Sequence, residues 1–246
     1  METQAVLDTF RKHVSEEDYE ASATVQSLDY LSRLTPELVA HKDEINAILD
    51  LGCGYGGLTA AFADLLDCDT VHGIDLDEER RSVAEKRGVT THSLDLESES
   101  FPFSEGDIDL VLSFGVLEHL KYYDHPIEES HRVLREGGFI LYSVPNLGSW
   151  VNRIALLMGN QPRDVEISQQ KPVGISRFYP DDGFLDHAHS PTHRAFVELL
   201  DHHGFTVTDS VGIFPYQEHW YVRLMDKLTA NRPSLCRRIA VVGRKR

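Results

Sequence analysis

Ile45-Asn46-Ala47-Ile48-Leu49-Asp50-Leu51-Gly52-Cys53-Gly54-Tyr55-Gly56-Gly57 is the stretch on which the fold turns. A short apolar run ends in an acid and then enters a turn rich in glycine. That pattern predicts a buried strand over residues 45–50 running into a tight turn. The Ala-rich run Leu58–Leu66 then has helical spacing. Glycines in such a turn let the backbone come close to a ligand and accept positive φ. The helix that follows presents free N–H groups. Gly52-x-Gly54-x-Gly56 is one reading of the turn. Gly52, Gly54 and Gly57 equally satisfy G-x-G-x-x-G, the dinucleotide fingerprint, so the turn alone does not choose a ligand.

Outward from the turn, strands and helices alternate. Thr70–Asp75 reads as a second strand ending in an acid, and Glu78–Arg87 as a charged helix closed by Gly88. Val89–Leu94 and Asp107–Phe114 are the next strands; the apolar centre of the latter suits a strand covered on both faces. Pro126–Leu134 is a helix, Arg135–Gly138 a turn, and Phe139–Val144 a fifth strand stopped by Pro145. Further on, Thr192–His203 is helical, Gly204 caps it, and Phe205–Val211 and Arg237–Arg244 are strands. The expected architecture is α/β, a Rossmann-like doubly wound sheet of seven strands, mostly parallel with an antiparallel edge strand. Residues 1–44 form an N-terminal helical segment. Residues 45–246 form the main domain, with a cap insertion at about 146–190.

The chain has 246 residues and a formal net charge of -16, from 40 Asp+Glu against 24 Lys+Arg. Such a surface disfavours nucleic acid and anionic membranes, which are bound largely through phosphate neutralisation. Two readings of the acidity stay open: ordinary solubility, or a salt-rich cytoplasm in which the carboxylates are screened. Three widely spaced cysteines, Cys53, Cys68 and Cys236, argue against a disulfide framework or a cysteine zinc site. No apolar run approaches the roughly 18 residues of a membrane span, and the polar N-terminus is unlike a secretory signal. The expected setting is a reducing cytoplasm, without integral membrane association.

Asp50, just before the turn, favours a ligand with an amino group and a sulfonium, which S-adenosylmethionine (SAM) carries, and would repel a pyrophosphate. Asp75 follows Gly54 by 21 positions and can accept both hydroxyls of a ribose, a spacing that NAD shares. Asp77 reads as a helix N-cap. Asp95 can accept from an adenine amino group and Leu96 can pack on the ring; a solvated loop acid is the alternative.

The runs DLGCGYGG (50–57), GIDLD (73–77), Asp95-Leu96, FGVLEHL (114–120) and RVLREGGFILYSVPN (132–146) together resemble the class I SAM-dependent methyltransferases of the type 11/type 23 group, which are similar to the ubiquinone-biosynthesis O-methyltransferases. The resemblance is strong over residues 45–146 and weak over 192–211. It implies SAM as cofactor, with Asp50, Gly52, Gly54 and Gly56 along its methionine end. Asp75 would hold the ribose with Leu76 beside it, Asp95 and Leu96 the adenine, and Ser113 and Phe114 the region near the sulfonium. The reaction implied is methyl transfer to a small-molecule or lipid-like acceptor, first of all at oxygen, in a chain that could form a homodimer.

Methyl transfer to SAM's acceptor demands no fixed catalytic side chain, because the cofactor brings the electrophile and the protein aligns the partners. Glu118-His119 is the candidate pair, with His119 as base; capping of a short helix is the alternative. Ubiquinone-type enzymes bind a divalent metal through a Glu-x-x-Glu-His run. Here Gly115 stands at its first position, so no metal site is expected. His187, His189 and His193 lack a companion cysteine or acid, and His187 is expected to face the acceptor. The insertion carries Trp150, Arg153, Arg163, Arg177, Phe178, Tyr179 and Phe184; Trp150 and Arg153 are candidate acceptor contacts. Trp150–Met158 is amphipathic and could pack on the core, lie on a membrane or form a dimer surface. A dehydrogenase is disfavoured by Asp50 and because none of the 9 tyrosines is followed by Lys four residues on. An aminopropyl transferase lacks obvious paired carboxylates. A non-catalytic SAM-binding module would keep the cofactor motifs intact.

Overall fold

The computed structural model describes residues 3–14, 32–168, 170–175, 185–214 and 220–246. Arg177, Phe178, Tyr179 and Phe184 lie outside the described residues. The helices are α1 (Thr3–His13), α2 (Thr35–Ala40), α3 (Gly57–Leu66), α4 (Glu78–Lys86), α5 (Asp124–Val133), α6 (Trp150–Leu157), α7 (His193–His202) and α8 (Trp220–Thr229). The strands are β1 (Ala47–Leu51), β2 (Thr70–Ile74), β3 (Thr90–His92), β4 (Ile108–Phe114), β5 (Leu134–Pro145), β6 (Phe205–Ile213) and β7 (Arg238–Lys245).

They form one sheet of 7 strands in the order β3-β2-β1-β4-β5-β7-β6. β3, β2, β1, β4 and β5 pair in parallel. β7 runs antiparallel between β5 and β6, which gives the expected antiparallel pair at that side of the sheet. The chain winds outward one way from β1 through β2 to β3, and the other way from β4. The crevice at the carboxyl ends of β1 and β4 is therefore the switch point at which such sheets hold ligands.

Alternate residues of the central strands feed two cores. Leu49, Val111, Ile140, Tyr142 and Val241 point to one side, where Ile127 of α5 and Phe196 and Leu200 of α7 cover them. Ile48, Leu110, Leu112, Phe139, Leu141 and Val242 point to the other, under Phe62 of α3, Phe10 of α1 and Leu38 of α2. This is why β1 is buried at every position instead of alternating. The Phe10 and Phe62 rings meet edge to face with centroids 5.1 Å apart, fastening α1 to α3.

Two local readings change. β5 starts at Leu134, so residues 135–138 are not a free turn before the strand: they belong to it as an irregularity. Ile108 pairs with Leu134 and Leu110 with Phe139, and Gly137 takes φ 70°. Asp109 holds the irregular stretch, accepting from Arg135 Nε at 2.6 Å and from the amides of Asn46 and Ala47 at 2.8 and 3.0 Å. The second is α8, for which no element was expected in residues 212–236. Its buried stripe is only Val222, Asp226 and Thr229, too narrow and too polar to announce a helix by periodicity. No described helix is long and apolar enough to cross a membrane.

Candidate active site

The turn after β1 is tied to the end of β2. Gly52 and Cys53 both donate their amides to the Ile74 carbonyl, at 2.7 and 3.0 Å. Asp75, next in the chain, accepts from the amides of Gly54 and Asp77, both at 2.9 Å. A carboxylate offers about four lone-pair positions, so Asp75 keeps capacity for a ribose while clamping the turn. Asp77 accepts from the Arg80 amide and caps α4, as expected. Gly52, Gly54 and Gly56 take φ of 69°, 52° and 75°. A Cβ at Gly52 would stand 2.2 Å from Val116 Cγ2 and one at Gly56 2.8 Å from Ala84 Cβ. The glycines thus serve close packing of the β4 loop and α4.

Asp50 is buried, 3% exposed, and accepts from the Thr59 hydroxyl of α3 at 2.5 Å. Its carboxyl lies beneath the turn. Burial first, and then the neighbouring Asp50 and Asp75, push the Cys53 thiol far up and make it unreactive. Asp95 accepts from the Glu97 amide at 2.9 Å and the Ser98 hydroxyl at 2.8 Å; these bonds, the amide first, hold its carboxyl below the usual range. Asp95 therefore closes its own loop, and any adenine contact must use its remaining lone pairs. Leu96 is buried, whereas Leu76 is 69% exposed beside Asp75. At the end of β4, Ser113 is fully buried and its Oγ has no hydrogen-bond partner, and Phe114 stacks on Phe62 at 5.8 Å.

These residues fit SAM. The turn presents backbone in conformations only glycine takes cheaply, one carboxylate lies beneath it and a second closes its side, and a buried hydroxyl waits at β4. The expected set falls on the carboxyl ends of β3, β2, β1 and β4, which are consecutive neighbours in the sheet.

A second cluster follows β4. Leu117–His119 is one turn of 3-10 helix, and Glu118 is 1% exposed. Its carbonyl accepts from the amides of Ala188 and His189 at 2.8 and 3.2 Å, drawing the segment before α7 onto the β4 loop. His187 thereby arrives with Nε2 3.9 Å from Glu118 Oε1 and its ring 5.2 Å from that of His119. Burial pushes the His187 pKa down to about 4, against the opposing pull of Glu118, so near neutral pH it is an uncharged imidazole and the pair is no salt bridge. His119 is exposed and its Nδ1 lies 2.8 Å from the Asp186 carbonyl, which can only accept. Nδ1 therefore carries a proton, and Nε2 of a neutral His119 is a free base. Arg238 of β7, which sequence reading missed, donates to Glu118 Oε1 at 2.8 Å. No local signal links positions 120 residues apart.

One carboxylate and two imidazoles within 4.8 Å of one another, Glu118, His119 and His187, could in composition hold a metal ion. His187 supplies the third group that the missing Glu at position 115 took away. The Arg238 guanidinium already pairs with the carboxylate.

Trp150 and Arg153 each bond within the fold. Trp150 Nε1 donates to Asp226 of α8 at 2.8 Å, and Arg153 Nε to the Gly148 carbonyl at 2.7 Å. Asp226 also accepts from Arg237 at 2.9 Å. Thr192 caps α7 by accepting from the Ala195 amide, and His193 Nε2 lies 3.1 Å from Ser210 Oγ.

Residues 49–142 match the methyltransferase domain model of type 11. A Mycobacterium tuberculosis protein named "Probable S-adenosylmethionine-dependent methyltransferase" is 30% identical over 190 residues, 72% of this chain and 62% of that one. The malonyl-[acyl-carrier protein] O-methyltransferase of Geobacter sulfurreducens is 30% identical over 135 residues, 54% of this chain and 50% of that enzyme. The chain spans 58% and 62% of the length of the Mycolicibacterium smegmatis and M. tuberculosis relatives it matches. A SAM-dependent methyltransferase from Thermotoga maritima superposes with TM-score 0.58 at 15% identity, over 98% of this chain and 100% of that one, which is a likeness of fold. With the glycine turn, Asp75 and the seven-stranded order in place, residues 49–142 form a SAM-dependent methyltransferase domain of type 11, and SAM is its cofactor.

Proposed function

We propose that the chain transfers the methyl group of SAM to oxygen of a small-molecule or lipid-like acceptor, with His119 as general base. SAM supplies a methyl group activated by the sulfonium. The protein's part is to hold the cofactor, align the acceptor and take a proton. The carrying observation is the Asp186 carbonyl on His119 Nδ1, which leaves Nε2 free to accept the hydroxyl proton. His187 is a neutral neighbour that adds no positive charge against protonation of His119. Glu118, paired with Arg238, fixes the backbone on which His119 stands.

The proposed cofactor contacts are Asp50, Gly52, Gly54, Gly56, Asp75, Leu76, Asp95, Leu96, Ser113 and Phe114. The proposed cap is residues 146–190, with His187 toward the acceptor. The site is proposed to work without metal, because the Arg238 guanidinium on Glu118 Oε1 supplies the cation and would repel a divalent ion beside it. Three free, buried cysteines support a reducing cytoplasm. The relative named malonyl-[acyl-carrier protein] O-methyltransferase supports an oxygen acceptor on an acyl-like molecule.

The test is turnover of SAM to S-adenosylhomocysteine across phenolic, carboxylic, acyl and amine acceptors, with wild type and His119→Ala, with and without EDTA. Turnover on an oxygen acceptor that falls by roughly 10²–10⁴ in His119→Ala and ignores EDTA supports the reading. Turnover only on amines, or retained in His119→Ala, removes the base from it. Loss of turnover in EDTA removes the metal-free mechanism.

A further inference from the structure

α6 and α8 meet through Trp150 and both leave large apolar side chains in solvent. Trp150 of α6 bonds Asp226 of α8, and Trp150, Val151, Ile154, Tyr221 and Met225 line a cavity of about 200 Å³ between them. Outside it, Leu157 is 87% exposed, Leu228 70% and Trp220 68%, with Met158, Leu156 and Leu224 close behind. On α8, positions 220, 221, 224 and 228 form one stripe, opposite the buried Val222, Asp226 and Thr229. Large exposed apolar side chains gathered on two joined helices of a folded domain mark an interaction surface.

Charge selects the occupant. The net charge of -16 is not evenly spread: residues 1–144 hold 11 Lys+Arg and 30 Asp+Glu, whereas residues 145–246 hold 13 and 10. Arg153, Arg223 and Lys227 are exposed among the apolar side chains of α6 and α8. The acid of α8, Asp226, is buried and paired with Arg237. Beyond a Debye length of about 8 Å the acidic remainder is screened, so these local cations decide what this face meets. A second copy would bring cations against cations. An apolar stripe with Trp and Tyr at one end and Arg and Lys along its flank instead matches the interfacial zone of a bilayer bearing negative lipids. The face also adjoins the site. Arg237 holds Asp226 and Trp150's helix pair, while its neighbour Arg238 holds Glu118.

We infer that the α6–α8 face docks on an anionic lipid bilayer and presents the Glu118–His119 site to acceptors drawn from it. The delivery clause rests on the proposed lipid-like acceptor; docking itself does not. The whole-chain charge, which speaks against anionic membranes, sums over surfaces that this face leaves turned away.

The experiment is sedimentation of the full chain with phosphatidylcholine vesicles, with and without phosphatidylglycerol, read against Arg223→Gln/Lys227→Gln and Leu157→Glu/Leu228→Glu. All four side chains are exposed, and calorimetric SAM affinity at the wild-type value certifies that each variant is folded. Binding is expected on the phosphatidylglycerol vesicles. Removing the two cations should weaken it by roughly one to two decades, at about fivefold each, and the glutamates should abolish it. No binding to either vesicle, equal binding to both, or binding indifferent to the variants overturns the inference. So does a dimer in sedimentation velocity that Leu157→Glu dissolves, since the face is then covered by a second copy. Vesicle binding with no methylation of any lipid leaves the docking intact and overturns the lipid-like acceptor instead.

Discussion

Gly52→Ala tests whether the glycine turn is built by packing as well as by its ligand. Gly52 has φ 69°, and holding alanine there costs about 1–2 kcal/mol. Its new Cβ would lie 2.2 Å from Val116 Cγ2 and 3.1 Å from Cγ1, and a β-branched side chain has few rotamers with which to yield. Overfilling of this kind adds about 1–3 kcal/mol. The single variant should therefore lose roughly 2–5 kcal/mol in urea unfolding, at unchanged m-value, and bind SAM far more weakly. Val116→Ala removes both Cγ atoms. In the double variant the overfilling share returns and the backbone share stays, so the cycle should show coupling of roughly 1–3 kcal/mol in the rescuing direction. If Gly52→Ala unfolds within about 0.5 kcal/mol of wild type, or costs the same with and without Val116, the close approach of the β4 loop to the turn is not as described.

Asp75→Ala removes the acceptor of two turn amides and the proposed ribose contact, and should weaken SAM binding by roughly one to two decades in calorimetry; unchanged affinity would take Asp75 out of the site. Glu118→Ala strands the Arg238 guanidinium in a largely buried place and should cost about 3–5 kcal/mol, whereas Glu118→Gln, which can still accept, should cost less. His187 has its pKa lowered from 6.5 to about 4 in the folded chain, so the unfolded chain binds the extra proton. The stability of the neutral imidazole is present in full above pH 6.5 and is lost as pH falls toward 4, the loss reaching about 2 kcal/mol by pH 5. Denaturant unfolding of wild type against His187→Asn across that window should show the excess loss in wild type only; parallel profiles would contradict a buried neutral imidazole. Asn146→Ala removes a buried side chain that donates to the carbonyls of Pro233 and Cys236 and accepts from Gly148 and His193 amides, and should lower stability by several kcal/mol.

What the sequence determines here is whatever depends on near neighbours along the chain. Apolar runs ending in Asp50, Asp75 and Phe114, each followed by a turn, specify parallel strands and place their carboxyl ends together, because strand, turn and helix signals act within a few residues. The proposed cofactor site is read from the sequence for the same reason: it is a row of strand ends, each with its own local motif. The bulged start of β5 was not legible, since Asp109 stabilises it from the neighbouring strand. Nor was α8, whose helicity rests on anchoring Asp226 to Arg237 and Trp150. The proposed acceptor side is decided by tertiary structure alone. Gly115 removes a carboxylate from the local run, and only folding returns a third group, His187, from 69 positions beyond Glu118, and Arg238 from 120. Those contacts are fixed by the sheet order and by two amides on one carbonyl, which no pattern of residues along the chain encodes.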